Sequence, residues 1–244
     1  SLNSSVVRFV EKSLEVSSEE PIVSQTVEML ADEIKVRAKN YYATQNRAVT
    51  KQDYEAIAYN MPNKFGAIKR INVVNDPLAT NRKIAMYVIS ENSSEILSVC
   101  EARVKENLKT WLNQYKSIND RIEIFDAKIV NFGIDFEISI DNRFTKSETL
   151  ALAINNIKNS YKEKFYIGEA VYLTDIYNIL SKTKGVIDVK KVNIYNKFGG
   201  SYATTSFDFD KIKSRDGTYY RTPKNVVLEL RYPDLDIKGI AKWQ

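Results

Sequence analysis

The chain has 244 residues, 43% of them hydrophobic and 27% charged, with 36 Lys and Arg against 31 Asp and Glu for a net charge of +5, and it has no histidine. This length and apolar share suffice for a packed core in one large or two small domains. With no histidine and Cys100 as the single cysteine, a Ser-His-Asp or Cys-His nucleophile system, a His-containing zinc site and an internal disulfide are all excluded.

Residues 5–16 mix Val6, Val7, Phe9 and Val10 with charges and read as a strand or an ordered arm, ended by the breaker Glu19-Glu20-Pro21. Over 24–42, Val27, Leu30, Ala31, Ile34, Ala38 and Tyr41 keep helical spacing, which predicts a long helix with one apolar stripe. A second, shorter helix begins at Thr50. Its hydroxyl can accept from the free N–H groups of the first turn, and Asp53, three residues on, places a carboxylate where the helix dipole favours it. Tyr54, Ile57, Ala58 and Met61 then fall at i, i+3, i+4 and i+7 and face a core, until Met61-Pro62-Asn63 stops the helix.

Two strands follow at 67–75 and 83–90, joined through Asn75-Asp76-Pro77, and the second is apolar on both faces and expected to be buried. A long helix is predicted over 94–115, with Leu97, Cys100, Val104, Leu108 and Trp111 on one stripe and Cys100 acting as a small buried hydrophobe. Ile122, Ile124 and Phe125 suggest a strand, and Phe132, Ile134, Phe136, Ile138 and Ile140 alternate with polar or small residues in the clearest strand of the chain. Then come a helix over 147–165 turning Leu150, Ile154, Ile157 and Tyr161 inward, a short helix capped by Thr174, and strands at 186–195 and 226–232.

The two halves share an order of elements, and Gly66-Ala67-Ile68 parallels Gly185-Val186-Ile187, which suggests a duplication. The fold class expected is α+β: two related lobes, 1–126 and 127–244, each a small mixed sheet with helices on one face, the first led by the long N-terminal helix. Between the last two strands, 196–225 is a long polar connection carrying Phe198, Tyr202, Phe207, Phe209, Tyr219 and Tyr220. Either these aromatics form a protein interface, since long loops are often functional and exposed aromatics bind well, or they cover their own sheet.

Little of the chain suggests chemistry. Asp208 and Asp210 flank Phe209 without a third ligand and beside Lys211 and Lys213, and the eight glycines never take phosphate-loop or dinucleotide spacing. Asp53 and Glu55 are explained by helix-end electrostatics, and Arg47 by either a fixed local pairing or a partner contact. No catalytic residue, metal or cofactor is expected. No apolar run approaches a membrane span, and the start, Ser1-Leu2-Asn3-Ser4-Ser5, is unlike a signal segment.

One stretch carries more than its physics. Arg47-Ala48-Val49-Thr50, then Asp53-Tyr54-Glu55, resembles the signature of the baseplate J family, wedge proteins of contractile phage tails and related injection machines. Phe65 to Val74, led by Gly66, is similar to the strand that this family places after its capped helix. Ile167-Gly168-Glu169, the run from Leu173 through Thr174 to Tyr177, and the run from Lys184 through Gly185 to Val189 follow in the family's order. The asparagine- and tyrosine-rich style is most similar to wedge proteins of T-even phages, and the start at Ser1 looks like that of a C-terminal piece of a longer protein. The resemblance implies a structural, non-enzymatic virion protein of the tail baseplate, assembled in the host cytoplasm. It would form a homodimer and then, with other wedge proteins, the ring around the tail hub, with no membrane partner.

The alternative from another class is a basic α+β nucleic-acid-binding module. Thirteen Lys and Arg against seven Asp and Glu between residues 158 and 224 concentrate the positive charge, but Asp135 and Glu137 put anions on the exposed face of the one strand that resembles an RNA-recognition strand.

Overall fold

A computed structural model describes residues 31–75, 83–92, 94–163 and 165–243. The strand or arm expected at 5–16, the start of the first helix and the turn at 76–77 lie outside the described residues. The order is α1 (Ala31–Thr44), α2 (Lys51–Tyr59), a short 3-10 turn (Asn63–Phe65), β1 (Arg70–Asn75), β2 (Lys83–Glu91), β3 (Leu97–Ser98), α3 (Ala102–Asn113) and β4 (Arg121–Asp126). It continues with β5 (Lys128–Ile140), α4 (Lys146–Ser160), β6 (Val171–Tyr172), α5 (Leu173–Ser181), β7 (Val186–Lys197), α6 (Phe209–Ile212), β8 (Tyr219–Tyr220), β9 (Val226–Glu229), α7 (Pro233–Asp236) and β10 (Ile237–Trp243). This is an α+β fold of small mixed sheets with packed helices. Among the described residues no helix is long and apolar enough to cross a membrane.

In the first sheet β2 is central, antiparallel to β1 and parallel to β4, with β3 paired to its end. In the second, β5 is central, antiparallel to β7 and parallel to both β9 and β10. A two-stranded ribbon joins β6 to β8. Each central strand therefore has at least one antiparallel and at least one parallel neighbour. The pairing does not otherwise repeat: β1 pairs with the strand after it, whereas β7 pairs with β5, which precedes α4.

The core consists of two apolar clusters. One joins Tyr54, Ile57, Met86, Val88, Leu108, Leu112 and Ile122 under α2 and α3. The other joins Phe132, Ile134, Ile138, Ile157, Ile176, Leu180 and Val227, and reaches Ile89 and Leu97 from the first sheet. The central strand β5, with neighbours on both edges, is buried along most of its length, and of its residues only Lys128 and Asp135 are exposed.

The helix expected over 94–115 starts only at Ala102. Asn92 bends the chain by accepting from Ser94 N–H (3.0 Å) and Ile96 N–H (2.9 Å), and Glu95 takes a left-handed φ of 58°, which a continuing α-helix does not tolerate. Cys100 therefore precedes the helix rather than lying on its stripe. It is buried all the same, with its sulfur 2.9 Å from the Ser90 hydroxyl. Similarly, α4 ends at Ser160, because Phe165 is drawn into the second core against Phe132 and Tyr161. Thr174 does not cap α5: the helix begins one residue earlier, with Leu173 N–H donated to Thr218 O (2.9 Å) as the β6–β8 ribbon runs straight into it.

The first helix departs most from expectation. Its inward row is Glu33, Arg37, Tyr41 and Thr44, while Ala31, Ile34 and Ala38 of the apolar stripe are exposed, Ile34 by 50%. Charge is the cause: the row is drawn to an arginine of β1, described below.

Candidate functional site

The segment from Gln45 to Asn60 forms a joint. After α1 the chain takes two consecutive left-handed residues, Gln45 (φ 48°) and Asn46 (φ 59°). Arg47 N–H then donates to Thr44 O (3.1 Å), and Ala48, fully buried, donates its N–H to Tyr115 O (2.9 Å) beyond α3. Thr50 starts α2 as the sequence predicts. Its hydroxyl accepts from Asp53 N–H (3.2 Å), while the Asp53 carboxylate accepts from Thr50 N–H (2.8 Å) and Val49 N–H (3.1 Å), a complete capping box.

Four polar side chains of this stretch lead to separate places. Burial alone would raise the Asp53 pKa, but those backbone donors, the Thr50 hydroxyl and the nearby Arg47 charge together hold it below the ordinary aspartate value. Tyr54 points into the core and donates its hydroxyl to the Asp120 carboxylate at 2.6 Å, both groups buried. Glu55 reaches the other way to β1, accepting Val73 N–H (3.2 Å), and burial pushes its carboxyl up despite that bond and the Lys51 charge. Arg47 and Val49 are exposed. Two further ties fix the helix: Trp111 Nε1 donates to Ile57 O (2.8 Å), and the Tyr59 hydroxyl accepts Ile71 N–H (3.0 Å), with burial pushing that phenol up to about 12.

Behind α2 lies an ionic cluster that sequence reading missed. Glu33 of α1 accepts from Arg37 (2.7 Å) and from Arg70 of β1 (2.6 Å). Arg37 lies over the Tyr59 ring at 3.9 Å and Arg70 over the Tyr166 ring at 4.4 Å. Burial works to raise the Glu33 carboxyl, but the two guanidinium groups hold it below its ordinary range. No local spacing announces this pairing, since Glu33 and Arg70 are 37 residues apart.

Three of the signature glycines serve the same joinery. Gly66 has φ 114°, and a Cβ there would sit 2.5 Å from a Val104 methyl, so the loop after α2 can lie this close to α3 only without a side chain. Gly168 has φ 81° and lies against Lys224 and Asn72, donating its N–H to Val226 O (2.8 Å). Gly185 also has a positive φ, ahead of β7.

Contacts between the sheets are equally specific. Asn72 of β1 donates to Ile167 O (3.1 Å) and Lys224 O (2.8 Å). Glu229, buried at the end of β9, accepts Leu97 N–H (2.8 Å) from the first half and Asn131 Nδ2 (2.8 Å) from β5, while Asn131 Oδ1 takes Ala203 N–H (2.7 Å). The signal that could have found Glu229 is a single carboxylate inside the apolar run Val226-Val227-Leu228-Glu229-Leu230.

The aromatic connection is mostly turned inward. Phe209 and Tyr220 are buried and pack edge-on at 5.4 Å, and Phe207 packs on Phe209. Tyr219 pairs with Tyr172. Tyr202, half-buried, donates to the fully buried Asp236 carboxylate (2.6 Å), which also accepts Tyr232 N–H (3.0 Å). Of the six, only Phe198 is exposed, by 61%. The reason is the sheet beneath: β7, β8 and α6 leave an apolar face that these rings are the nearest groups to cover. Asp208 caps α6 by accepting Asp210 N–H (3.1 Å) and pairs with Lys211 (3.4 Å).

The cap supplies a pH prediction. Asp53 has a lowered folded-state pKa, so its contribution is present above the unfolded aspartate value and is lost as pH falls through the folded one. The Thr50 and Val49 amide resonances should therefore titrate together in acid, below the usual aspartate range. Asp53→Asn should remove that titration and cost about 1 kcal/mol of unfolding free energy.

No protein-family model matches the chain, and no curated protein does. Among solved structures, a chain in the cryo-EM structure of the anti-feeding prophage baseplate, 6-fold symmetrised, is similar over 84% of this chain at 13% identity and a TM-score of 0.48. This chain spans 42% of that one. The likeness is too loose to carry fold or function across.

Proposed function

We propose that this chain is a structural component of a contractile-tail baseplate, a wedge protein whose work is to hold partners rather than to transform a substrate. The observation that carries the reading is how the signature residues are used. Asp53, Tyr54 and Glu55, side by side in sequence, are taken up respectively by a helix cap, a buried carboxylate and a strand edge, and they do not converge on a shared cleft. A stretch that resembles a baseplate signature and is used as joinery suits a protein selected for architecture. In this reading the chain has two lobes, 1–126 and 127–244, associates with itself through a two-fold contact, and closes into a ring with other wedge proteins through a second, different one. Phe198 is the candidate contact that the aromatic connection leaves at the surface.

The test is to locate the chain in particles. Gold labelling of an epitope inserted beside Phe198, viewed by electron microscopy in contractile particles that carry the chain, should mark the distal end of the tail, where the baseplate sits. Label on the head, along the sheath, or only on unassembled protein would overturn the reading.

A further inference from the structure

We propose that α1 is a hinged arm, clamped to the body by Glu33 and able to leave it as a unit while the rest of the fold stays intact. Helices are ordinarily held to a protein by an apolar stripe. Here the attachment is reversed: among the described residues 31–44, only Thr44, at the very end, is buried, and Ile34, Val36 and Tyr42 are exposed by 50%, 57% and 87%. What faces the body is the polar row Glu33, Arg37 and Tyr41. Its contacts include the Glu33 bridge between Arg37 and Arg70, the Arg37 guanidinium over Tyr59, the Tyr41 hydroxyl donated to Asn46 at 3.2 Å, and one apolar contact, the Tyr41 ring against the edge of the first cluster.

Among the described residues, open space lies on both flanks of this attachment. On one side a groove of about 620 Å³ separates Ile34, Ala38 and Tyr42 from Ala56 and Asn60 of α2. On the other, a cleft of about 350 Å³ runs between Val36 and Asn40 of α1 and Glu55 and Glu163. The helix thus stands on one ridge. Its C-terminal end supplies the pivot: Gln45 and Asn46 hold left-handed backbone that L-residues adopt reluctantly, and Ala48, two residues on, is buried and pinned to Tyr115. Rotation at those two residues frees the helix without disturbing α2, whose cap, core and ties to β1 lie beyond the pin. Opening would uncover Arg70, Arg37 and Tyr59 together and free the Ile34 and Ala38 face from its groove. Elements held by few apolar contacts are the ones that open locally.

Hydrogen–deuterium exchange of the full chain tests this, read by mass spectrometry on peptides covering α1, α2, β1 and β2. In the wild type, α1 amides should exchange faster than those of α2 and β2. Glu33→Gln should speed α1 exchange by about tenfold and leave α2, β1 and β2 unchanged. Added sodium chloride should accelerate α1 exchange in the wild type and do little in the variant, since the clamp it screens is already gone. Unaltered α1 exchange in Glu33→Gln would overturn the proposal. So would a variant in which α1, α2 and β1 all loosen together, because α1 would then be an integral part of the first core. The outcome is independent of whether the baseplate reading holds.

Discussion

Tyr54→Ala should lower unfolding stability by about 3–5 kcal/mol, the range for removing a large aromatic side chain from a core that cannot collapse around the space. Tyr54 is 1% exposed and stands among Ile57, Met86, Leu108 and Leu112, so the cavity would open at the centre of the first cluster. The substitution also removes a 2.6 Å hydrogen bond to a buried carboxylate. Tyr54→Phe separates the two contributions: it keeps the ring and should cost about 1.5–3 kcal/mol, the value of a hydrogen bond to a charged group. Urea unfolding followed by circular dichroism gives both numbers, and the slope of free energy against urea should be unchanged in each variant. If Tyr54→Phe were as stable as wild type, the Tyr54–Asp120 bond would not anchor α2, and the structural reading of the signature would lose its strongest contact.

The second large effect is expected at Glu229, which ties the first sheet's β3 to the second sheet's β5. Glu229→Ala leaves the Leu97 N–H and the Asn131 amide without this acceptor in a site that is 1% exposed, at a cost on the order of 3 kcal/mol. Glu229→Gln should recover only part of the loss. The new amide can still accept Leu97 N–H with its oxygen, but its NH2 then faces the Asn131 NH2. Asn131 cannot turn over to accept it without giving up Ala203 N–H, held at 2.7 Å. The ordering wild type above Gln above Ala, read from thermal or urea midpoints, distinguishes a specific polar tie from simple burial of bulk, for which Gln and Glu would be equivalent.

What the sequence made legible is local. Thr50 and Asp53 lie within one helical turn, so their cap follows from spacing, and the alternation of Phe132 to Ile140 follows from a strand with one deeply buried face. Most of the features missed depend on partners far away in the chain. The face that α1 presents is chosen by Arg70, whose own burial in β1 cannot be read from its neighbours, and an apolar periodicity alone points to the opposite face. The start of α3 was misplaced because Asn92 and Glu95 stop the chain with an Asx turn and a left-handed residue, while Leu97 is claimed by Glu229. Thr174 has the composition of a cap, but a cap needs a free helix start, and the ribbon of β6 and β8 supplies the bond at Leu173 first. The aromatics of 198–220 have the composition of an interface, and only the neighbouring sheet shows that most of them are already covered.

Whether this chain assembles, as proposed, is decided by light scattering coupled to size-exclusion chromatography of the purified protein over a range of concentrations. The mass should rise to twice that of the single chain as concentration increases, and the dimer should survive salt that would release a nucleic acid. A mass that stays at one chain throughout, together with salt-sensitive binding of DNA or RNA, would contradict it.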